Sequence, residues 1–329
     1  MFSPLLFYLL FRTLFTFSHF IYILILLIYI IYIYICVYYG GHVMNAKGIE
    51  LGTASTTLIK DIDDTKIKAI NAIVDSSIQN FITGFEWRYS QEINKPTGVI
   101  NMKKNNCFIA ELGEEFMFYS AFVRSFDSSF GKVLENMGNN IARLTYEVRK
   151  NIDSFLLPQQ SQHMDYLMAE YEKHISPDIS HYNSFNCIIP ADVQSYKKFH
   201  ATDNYFYDPK TKKHYLIELK AGGDLDNKKS KAEKISLLQQ YFLLKNSLIG
   251  TDETVEIYFA TAYNKFGEGN EWYQERVQQF FANNELLIGK DYWNFCCGSD
   301  YGFQIVFKQY QQSAYMLREA FDRIKKLYF

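Results

Sequence analysis

The sequence has few cysteines, and it lacks the cysteine pairs on which two classes of small protein depend. Five cysteines occur in 329 residues, and none is spaced Cys-X-X-Cys. Proteins held together by disulfides and domains built around a structural zinc need paired cysteines, so this pattern argues against both classes. We expect reduced thiols in a cytoplasmic protein, with Cys296 and Cys297 beside Trp293 and Phe295 as core residues.

An excess of positive charge is also absent. The formal net charge is −2 and the sequence pI is about 6.4. Proteins that coat nucleic acid over their whole surface are usually basic, so that class is disfavoured. A protein that closes on DNA only through a local basic cleft remains compatible with this charge balance.

Charged residues are missing altogether from residues 13–46, which contain no Asp, Glu, Lys or Arg. Within this region, residues 20–39 are all apolar or aromatic and are long enough to span a bilayer. The monotonous Ile and Tyr of residues 30–35 are also what translated A/T-rich non-coding DNA yields. We expect residues 1–43 to be an overextended start before a protein that begins at Met44, with a membrane anchor as the alternative.

The most informative stretch that is present runs from residue 202 to residue 240. It begins with Asp203 and an aromatic run, and residues 208–211 (Asp-Pro-Lys-Thr) then predict a turn. Residues 214–219 follow as a short apolar strand, which completes a β-hairpin. Because side chains alternate across a strand, Glu218 and Lys220 share a face, and the turn returns Asp203 toward them.

Two carboxylates and an ammonium at one end of a sheet suit metal-assisted hydrolysis of phosphodiesters. A phosphodiester resists attack because it is already negative, and a hard cation such as Mg²⁺, which prefers oxygen ligands, offsets that charge. We expect Asp203 and Glu218 to bind Mg²⁺, with the main-chain carbonyl of Leu219 as a third ligand. Lys220 would orient or deprotonate the attacking water, with a pKa that falls if its ammonium is partly desolvated.

An acidic residue two positions before a lysine is a weak motif by itself, because most such triplets are solvated surface charge. The chain has four of them: Asp64-Thr65-Lys66, Asp208-Pro209-Lys210, Glu218-Leu219-Lys220 and Asp226-Asn227-Lys228. Only the third ends an apolar strand with another acid upstream at hairpin distance. We expect Asp208 and Asp226, the acids of two competing triplets, to lie on turns.

Lysines are frequent on both sides of this hairpin strand, between residues 210 and 234. A solvated charge run is one interpretation. Their clustering around two acids favours contacts to DNA phosphates instead. The lysines for which we expect phosphate contacts are Lys212, Lys213, Lys228 and Lys229.

The upstream Asp203 and the Glu218-Leu219-Lys220 triplet resemble the PD-(D/E)XK nuclease superfamily, and within it the type II restriction endonucleases. The continuation in residues 221–227 (AGGDLDN) is similar to the TdeIII-like and EcoO109I-like group, which cuts GGNCC-type sites. Thr202 stands where the superfamily name expects proline, a position that varies within the superfamily. The resemblance is close over residues 199–244.

This resemblance implies a Mg²⁺-dependent enzyme that hydrolyses double-stranded DNA at a short palindromic, GGNCC-related site and leaves 5′-phosphate ends. It implies a homodimer whose two-fold symmetry mirrors the site, and a cognate DNA methyltransferase as a genetic rather than a physical partner. It also implies a helix before the core sheet that places a glutamate near the metal. Residues 129–135 look like that element, with Glu135 as the candidate, and a surface glutamate is the alternative.

The expected fold is α/β or α+β: a restriction-endonuclease-like core with a central mixed sheet flanked by helices, and additional N-terminal helices. We expect one domain over residues 44–329, helical to about residue 150, with its catalytic core at about residues 110–310. Periodicity predicts helices at residues 60–83, 111–126, 129–150, 228–246, 271–281 and 311–327, and strands at 187–190, 254–262 and 302–307. Gly131 and Gly138 would let the third helix approach a sheet closely.

Two other functions remain open on the residues alone. One is a different nuclease of the same superfamily that acts in repair or on DNA structures. The other is a non-catalytic module that binds DNA or is tethered to a membrane. Discrete bands in a plasmid digest would indicate restriction, random nicking the other nuclease, and no cleavage the non-catalytic module.

Overall fold

The structure, a computed structural model, describes residues 62–329 of the chain. The extension expected over residues 1–43, with its apolar run, lies outside the described residues. Within residues 62–329, none of the helices combines the length and the apolar character needed to cross a membrane.

A five-stranded sheet lies at the centre of residues 62–329. Its five strands are β1 (Glu147–Phe155), β2 (Lys197–Asp208), β3 (Lys213–Lys220), β4 (Thr254–Thr261) and β5 (Leu286–Ile288), in that spatial order. The first three are antiparallel neighbours, whereas β3, β4 and β5 run parallel to one another. The sheet is mixed and the fold is α+β, which confirms the expected fold class.

Nine α-helices occur among residues 62–329. They are α1 (Asp64–Glu92), α2 (Cys107–Ala110), α3 (Glu114–Ala142), α4 (Pro158–Glu172), α5 (Ser180–Asn183), α6 (Asn227–Ser247), α7 (Glu275–Gln278), α8 (Lys290–Cys297) and α9 (Gly302–Tyr328). The first begins where the Asp63 carboxylate accepts a hydrogen bond from the main-chain N–H of Lys66, which satisfies one of the free donors at a helix start.

Two apolar cores lie on opposite faces of the sheet, because side chains alternate along each strand. Phe206 and Ile217 point into a core built with α1, α3, α8 and α9. Their sequence neighbours Tyr205 and Leu216 point into a second core built with α4 and α6. Cys296 and Cys297 are buried in the first core with free thiols, as the sequence predicts.

The bounds predicted for the helices at residues 111–126 and 129–150 are wrong. The two predicted helices form one helix, α3, which passes through the expected restart at residues 127–129 and ends at Ala142. Phe126 and Phe130 lie one turn apart and stack at 5.0 Å between ring centroids, and both contact Phe81 of α1. This packing outweighs the preference of Asp and Ser for a cap. Residues 147–155 form β1, because they pair with β2.

Three expectations for the other segments also differ from the structure. The strand expected at residues 302–307 is the first part of α9, since a short apolar run does not distinguish a strand from a buried helix. No strand forms at residues 187–190, and the helix expected at 271–281 is reduced to the single turn of α7. The hairpin, α6 and β4 lie where the sequence predicts them.

Gly138 has a different role from the one expected. A Cβ atom at this position would overlap the side chain of Tyr292 on α8, whereas a Cβ at Gly131 would meet open space. The small residue therefore allows α8, and not the sheet, to approach α3.

Candidate functional site

The β2–β3 hairpin places Asp203 and Glu218 side by side. The two strands are antiparallel, and Asn204 pairs with Ile217. Continuing this register by one residue sets Asp203 opposite Glu218, and directly opposed residues of an antiparallel pair point to the same face. The expected convergence of these two acids at one end of the hairpin follows from this register.

The acids of two competing triplets lie at element ends and not on turns as expected. Asp208 ends β2, and its carboxylate accepts hydrogen bonds from the main-chain N–H of Lys210 and the hydroxyl of Thr211 within the hairpin turn. Asp226 caps α6 and accepts a bond from the main-chain N–H of Lys229 at 2.8 Å. Both carboxylates therefore stabilise local structure.

Lys220 pairs with two carboxylates, one on its own strand β3 and one on α6. Its Nζ lies 2.7 Å from Oε1 of Glu218 and 2.7 Å from Oε1 of Glu233. The first contact confirms that Glu218 and Lys220 share a face of β3. The Glu218 side chain is 12% exposed and that of Lys220 is 30% exposed, so the pair is mostly shielded but open on one side.

Helix α3 approaches the same place through Lys132 and Glu135, which are one turn apart. Lys132 Nζ lies 2.6 Å from Oε1 of Glu135 and 3.9 Å from Oδ1 of Asp203. Asn139, one turn further along, donates from Nδ2 to the main-chain oxygen of Asp203 at 3.0 Å. The helix thus holds the strand segment that carries Asp203, and Glu135 lies beside the site.

Burial and charge shift the pKa values of this cluster. Burial raises the pKa of Glu218, and the attraction of Lys220 does not fully offset it. Burial alone would lower the pKa of Lys220, but two carboxylates, those of Glu218 and Glu233, outweigh it and raise that pKa. A hydrogen bond to Glu135 likewise raises the pKa of Lys132. Desolvation thus acts on the pKa of Lys220 in the expected direction, but the two carboxylates reverse the net shift and favour the ammonium form at neutral pH.

The donor chemistry of the site fits a hard divalent cation. Four carboxylates and two ammonium groups meet here, so negative charge exceeds positive charge by two when all are ionised. Asp203 and Glu218 offer the oxygen donors that Mg²⁺ prefers, and Leu219 lies between Glu218 and Lys220 on β3. The four carboxylates are joined through the two lysines, and among residues 62–329 no three His, Cys, Asp or Glu side chains converge closely enough to hold a metal by themselves.

Two of the lysines expected to contact phosphate lie at the far end of the hairpin. Lys212 and Lys213 precede or begin β3, about 23 Å along the strand from Lys220. Lys212 pairs with Asp252 at 2.6 Å and Lys213 with Glu256 at 2.7 Å. They do not crowd the candidate site, so a phosphate contact there would need DNA to extend to this end of the sheet.

The lysines of α6 differ from one another. Lys228 and Lys229 are exposed in its first turn, near the Asp226 cap, and their phosphate contacts stay a prediction. Lys234 is fully buried and pairs with Glu285, so it cannot contact DNA as its position in the sequence suggested.

Sequence reasoning missed Glu233. The signal was present, because Glu233 is the single acidic residue of α6 among its several lysines. A lone acid on the helix that follows the Glu218-Leu219-Lys220 strand has an evident partner in Lys220, since the loop between them is short. Only the contact at 2.7 Å shows that it reaches the site.

Comparison with known proteins identifies the family. The family model described as "Type II restriction endonuclease, HinfI" matches residues 66–314, more than half of the chain and all of the candidate site. The chain belongs to the HinfI family of type II restriction endonucleases. No curated protein and no solved structure matches it.

Membership of the HinfI family confirms the expectation of a restriction endonuclease, a hydrolase that acts on DNA. It favours this function over a repair nuclease or a non-catalytic module. The family match carries no information on the TdeIII-like or EcoO109I-like group, or on a GGNCC-type site.

Proposed function

We propose that this HinfI-family protein is a Mg²⁺-dependent PD-(D/E)XK endonuclease that cuts double-stranded DNA at a short palindromic site and leaves 5′-phosphate ends. The observation that carries the proposal is the meeting of Asp203, Glu218 and Lys220 at one end of the β2–β3 hairpin. In the reaction, the oxygen of water bonds to phosphorus and the bond from phosphorus to the 3′ oxygen breaks. The proton released by water ends, through solvent, on that leaving oxygen.

Each residue has a distinct role. Asp203 and Glu218, with the carbonyl of Leu219, would hold the metal. Mg²⁺, when bound, offsets the negative charge of the phosphate and lowers the pKa of a coordinated water. Because Lys220 is protonated, it donates hydrogen bonds that orient the attacking water and stabilise charge on the phosphate.

Two glutamates act through other side chains. Glu233 holds the ammonium of Lys220 at 2.7 Å, and Glu135 holds Lys132, which reaches toward Asp203. Such supporting contacts fix the geometry of ligands and donors. We therefore assign positioning roles to Glu233 and Glu135.

A homodimer would give the enzyme the two-fold symmetry of a palindromic site. An exposed apolar stripe supports this assembly: Phe116, Tyr119 and Val123 lie at helical spacing on α3 and are 46%, 38% and 51% exposed. Phe108, just before this helix, is 83% exposed. Light scattering should give twice the monomer mass, and Phe116→Glu should reduce it. A cognate methyltransferase remains a genetic partner in this proposal.

The GGNCC-related recognition sequence rests on the resemblance of residues 221–227. Part of that segment has a packing explanation. A Cβ on Gly222 would lie 2.5 Å from the hydroxyl of Tyr263, and Gly223 has φ +70°, where a side chain is disfavoured. The turn after β3 thus favours glycine at position 223 by its φ, and the approach of Tyr263 favours a small residue at position 222, whichever bases the enzyme reads.

A plasmid digest with sequenced ends tests the proposal. Discrete fragments with 5′-phosphates, formed with Mg²⁺ and blocked by EDTA, are expected. Random nicking would favour a different nuclease, and no cleavage with Mg²⁺ or Mn²⁺ would overturn the catalytic proposal. The sequence at the ends decides whether the site is related to GGNCC.

We propose that residues 44–329 suffice for activity, because the family match and every site residue lie within them. Protein begun at Met44 should be soluble and cut DNA as the full chain does. Cleavage by the full chain alone would contradict this.

A further inference from the structure

A polar cleft lies directly beside Asp203. Its volume is about 500 Å³, and its walls come from α1, α3, β1 and β2. Amides and cations dominate the lining: Asn80 on α1, Asn136, Asn139 and Asn140 on α3, and Arg143 and Lys150. Asp203 is the one acidic residue among the described lining residues, so the cleft is positively charged except at its catalytic edge.

The amides of α3 occur in a pattern that helix stability does not explain. Asn136, Asn139, Asn140 and Arg143 lie at i, i+3, i+4 and i+7, which is one face of a helix. Asparagine is a poorer helix former than alanine, because its amide competes for main-chain hydrogen bonds. Three asparagines on one face at the end of a long helix therefore indicate a use for their side chains.

The side chains of two of these asparagines make hydrogen bonds within the protein. Asn139 donates to the main chain of Asp203, which ties the cleft to the catalytic edge. Asn140 accepts a hydrogen bond from Nη1 of Arg143 at 2.9 Å, which restrains the guanidinium at the cleft wall.

The other amides are free. Asn136 and Asn80 are exposed, and neither side chain makes a hydrogen bond to any residue of the described chain. They face the cleft from α3 and α1, the two helices that form its walls. A free amide carries a donor and an acceptor side by side, and this pair matches the N6 and N7 edge of adenine.

We propose that the DNA duplex lies across this cleft, with Asn80 and Asn136 reading base edges and Arg143 and Lys150 binding phosphates. The inference rests on the proposed nuclease function and deepens it by naming the specificity residues. A larger cavity of about 750 Å³ is a poorer fit to DNA, because its three glutamates outnumber its two lysines; the charged lining residues are Glu253, Glu256, Glu285, Lys213 and Lys245.

Binding to short labelled duplexes, measured by fluorescence anisotropy with Ca²⁺ in place of Mg²⁺, tests this inference. One duplex carries the sequence found at the plasmid cut sites and the other a scrambled sequence. Asn80→Ala and Asn136→Ala should each weaken binding to the first by about 5- to 100-fold and leave binding to the second unchanged. Gln312→Ala, an exposed amide on α9, is the matched control and should change neither.

The cation variants should behave differently. Arg143→Ala and Lys150→Ala should weaken binding to both duplexes, and each should reduce the slope of log affinity against log salt by about 1. Melting temperatures of the asparagine variants should equal or exceed that of the native protein, because alanine favours the helix.

The outcomes separate the two proposals. If the native enzyme cuts a specific site but all four variants bind like it, the cleft is not the DNA site and the nuclease proposal stands. Equal weakening of both duplexes by the asparagine variants would remove base reading from the inference. If the native enzyme cuts nothing, the nuclease proposal fails, and the cation variants on the scrambled duplex still decide whether the cleft binds DNA.

Discussion

Helix α6 supplies one residue to each of two lysine–carboxylate pairs, and the two pairs lie on different sides of the helix. Glu233 and Lys234 are consecutive on α6, and consecutive residues point about 100° apart around a helix. Glu233 faces β3 and holds Lys220 in the candidate site. Lys234 is fully buried and holds Glu285 in the second core.

The buried pair is complete in itself. Glu285 also accepts hydrogen bonds from the hydroxyl of Tyr182 at 2.8 Å and the main-chain N–H of Ala282 at 2.7 Å. The Lys234 ammonium lies 4.9 Å from the ring centre of Phe281. Burial lowers the pKa of Lys234, although Glu285 opposes this. Both oxygens of Glu285 accept hydrogen bonds, and the Lys234 ammonium contacts Glu285 and aromatic rings, so nothing in the pair calls for a ligand.

The charges around Lys220, by comparison, do not balance one another. Its carboxylates exceed its ammonium groups, the pKa of Glu218 is raised by burial, and Asp203 is 57% exposed. Perturbed and under-neutralised groups of this kind are typical of functional sites. The contrast separates a charge pair that holds the fold together from a cluster whose excess negative charge suits the metal that we propose.

Removing the functional groups should have the largest effect. Asp203→Ala, Glu218→Ala and Lys220→Ala should each lower the cleavage rate at least about 10²- to 10³-fold, while binding to cognate DNA survives. Calorimetry should show that Mg²⁺ binding is lost in the two acid variants and kept in Lys220→Ala, because lysine is not a ligand. If Asp208→Ala abolished cleavage and Asp203→Ala did not, the hairpin assignment would fail.

Breaking the buried pair should change stability instead of chemistry. Lys234→Ala leaves the Glu285 carboxylate buried without its partner, which should lower the free energy of unfolding by about 3–5 kcal/mol. Urea denaturation measures the loss, and cleavage per folded molecule should be near that of the native protein. A large loss of cleavage in the folded fraction would show that the two sides of α6 are not independent.

Glu233→Gln tests the residue that links the two sides. We expect cleavage to fall about 10-fold, as for other groups that orient a reacting side chain. Loss of one carboxylate lowers the pKa of Lys220, so the alkaline limb of the pH–rate profile should shift to lower pH. A lower rate with an unshifted profile would indicate a purely structural role.

A smaller effect is expected in the way that stability depends on pH. Because folding raises the pKa of Glu218, the stability linked to this group is full below its unfolded-state pKa and is lost as pH rises through its folded-state pKa. Because glutamine does not ionise, the Glu218→Gln variant does not lose this stability as pH rises. In EDTA it should therefore be more stable than the native protein at neutral pH and equal to it at low pH, as judged by urea denaturation across a pH series. Lower stability at neutral pH would show that attraction to Lys220 outweighs burial.

The smallest effects belong to the acids of the competing triplets. Asp226→Ala should lower the free energy of unfolding by about 1 kcal/mol, because it removes the N-cap of α6. Asp208→Ala should loosen the hairpin turn slightly. Both should cleave DNA within about twofold of the native rate, since neither carboxylate reaches the Lys220 cluster. A strong activity loss in Asp226→Ala would place the start of α6 in the reaction.

Local rules in the sequence determined the hairpin and much of the site. A strand alternates with a period of two, so Glu218 and Lys220 had to share a face, and the turn chemistry of Asp208 set the register that brings Asp203 opposite Glu218. The observed start of α6 at Asn227 lies one residue from the predicted start at residue 228. These features depend on a few neighbouring residues, which is why they could be predicted without the fold.

Tertiary structure determined how deeply the charged residues are buried and which partners they contact. Lys234, the last lysine of the cluster at residues 210–234, is buried, because it pairs with Glu285, which lies 51 residues away in the chain. The pKa of Lys220 is raised, because Glu218 on its own strand, together with Glu233 that α6 brings to it, outweighs the effect of burial. Asn139 meets Asp203 across 64 residues of sequence. Burial and charge pairing depend on residues far apart in the chain, and spacing within one segment carries no information about them.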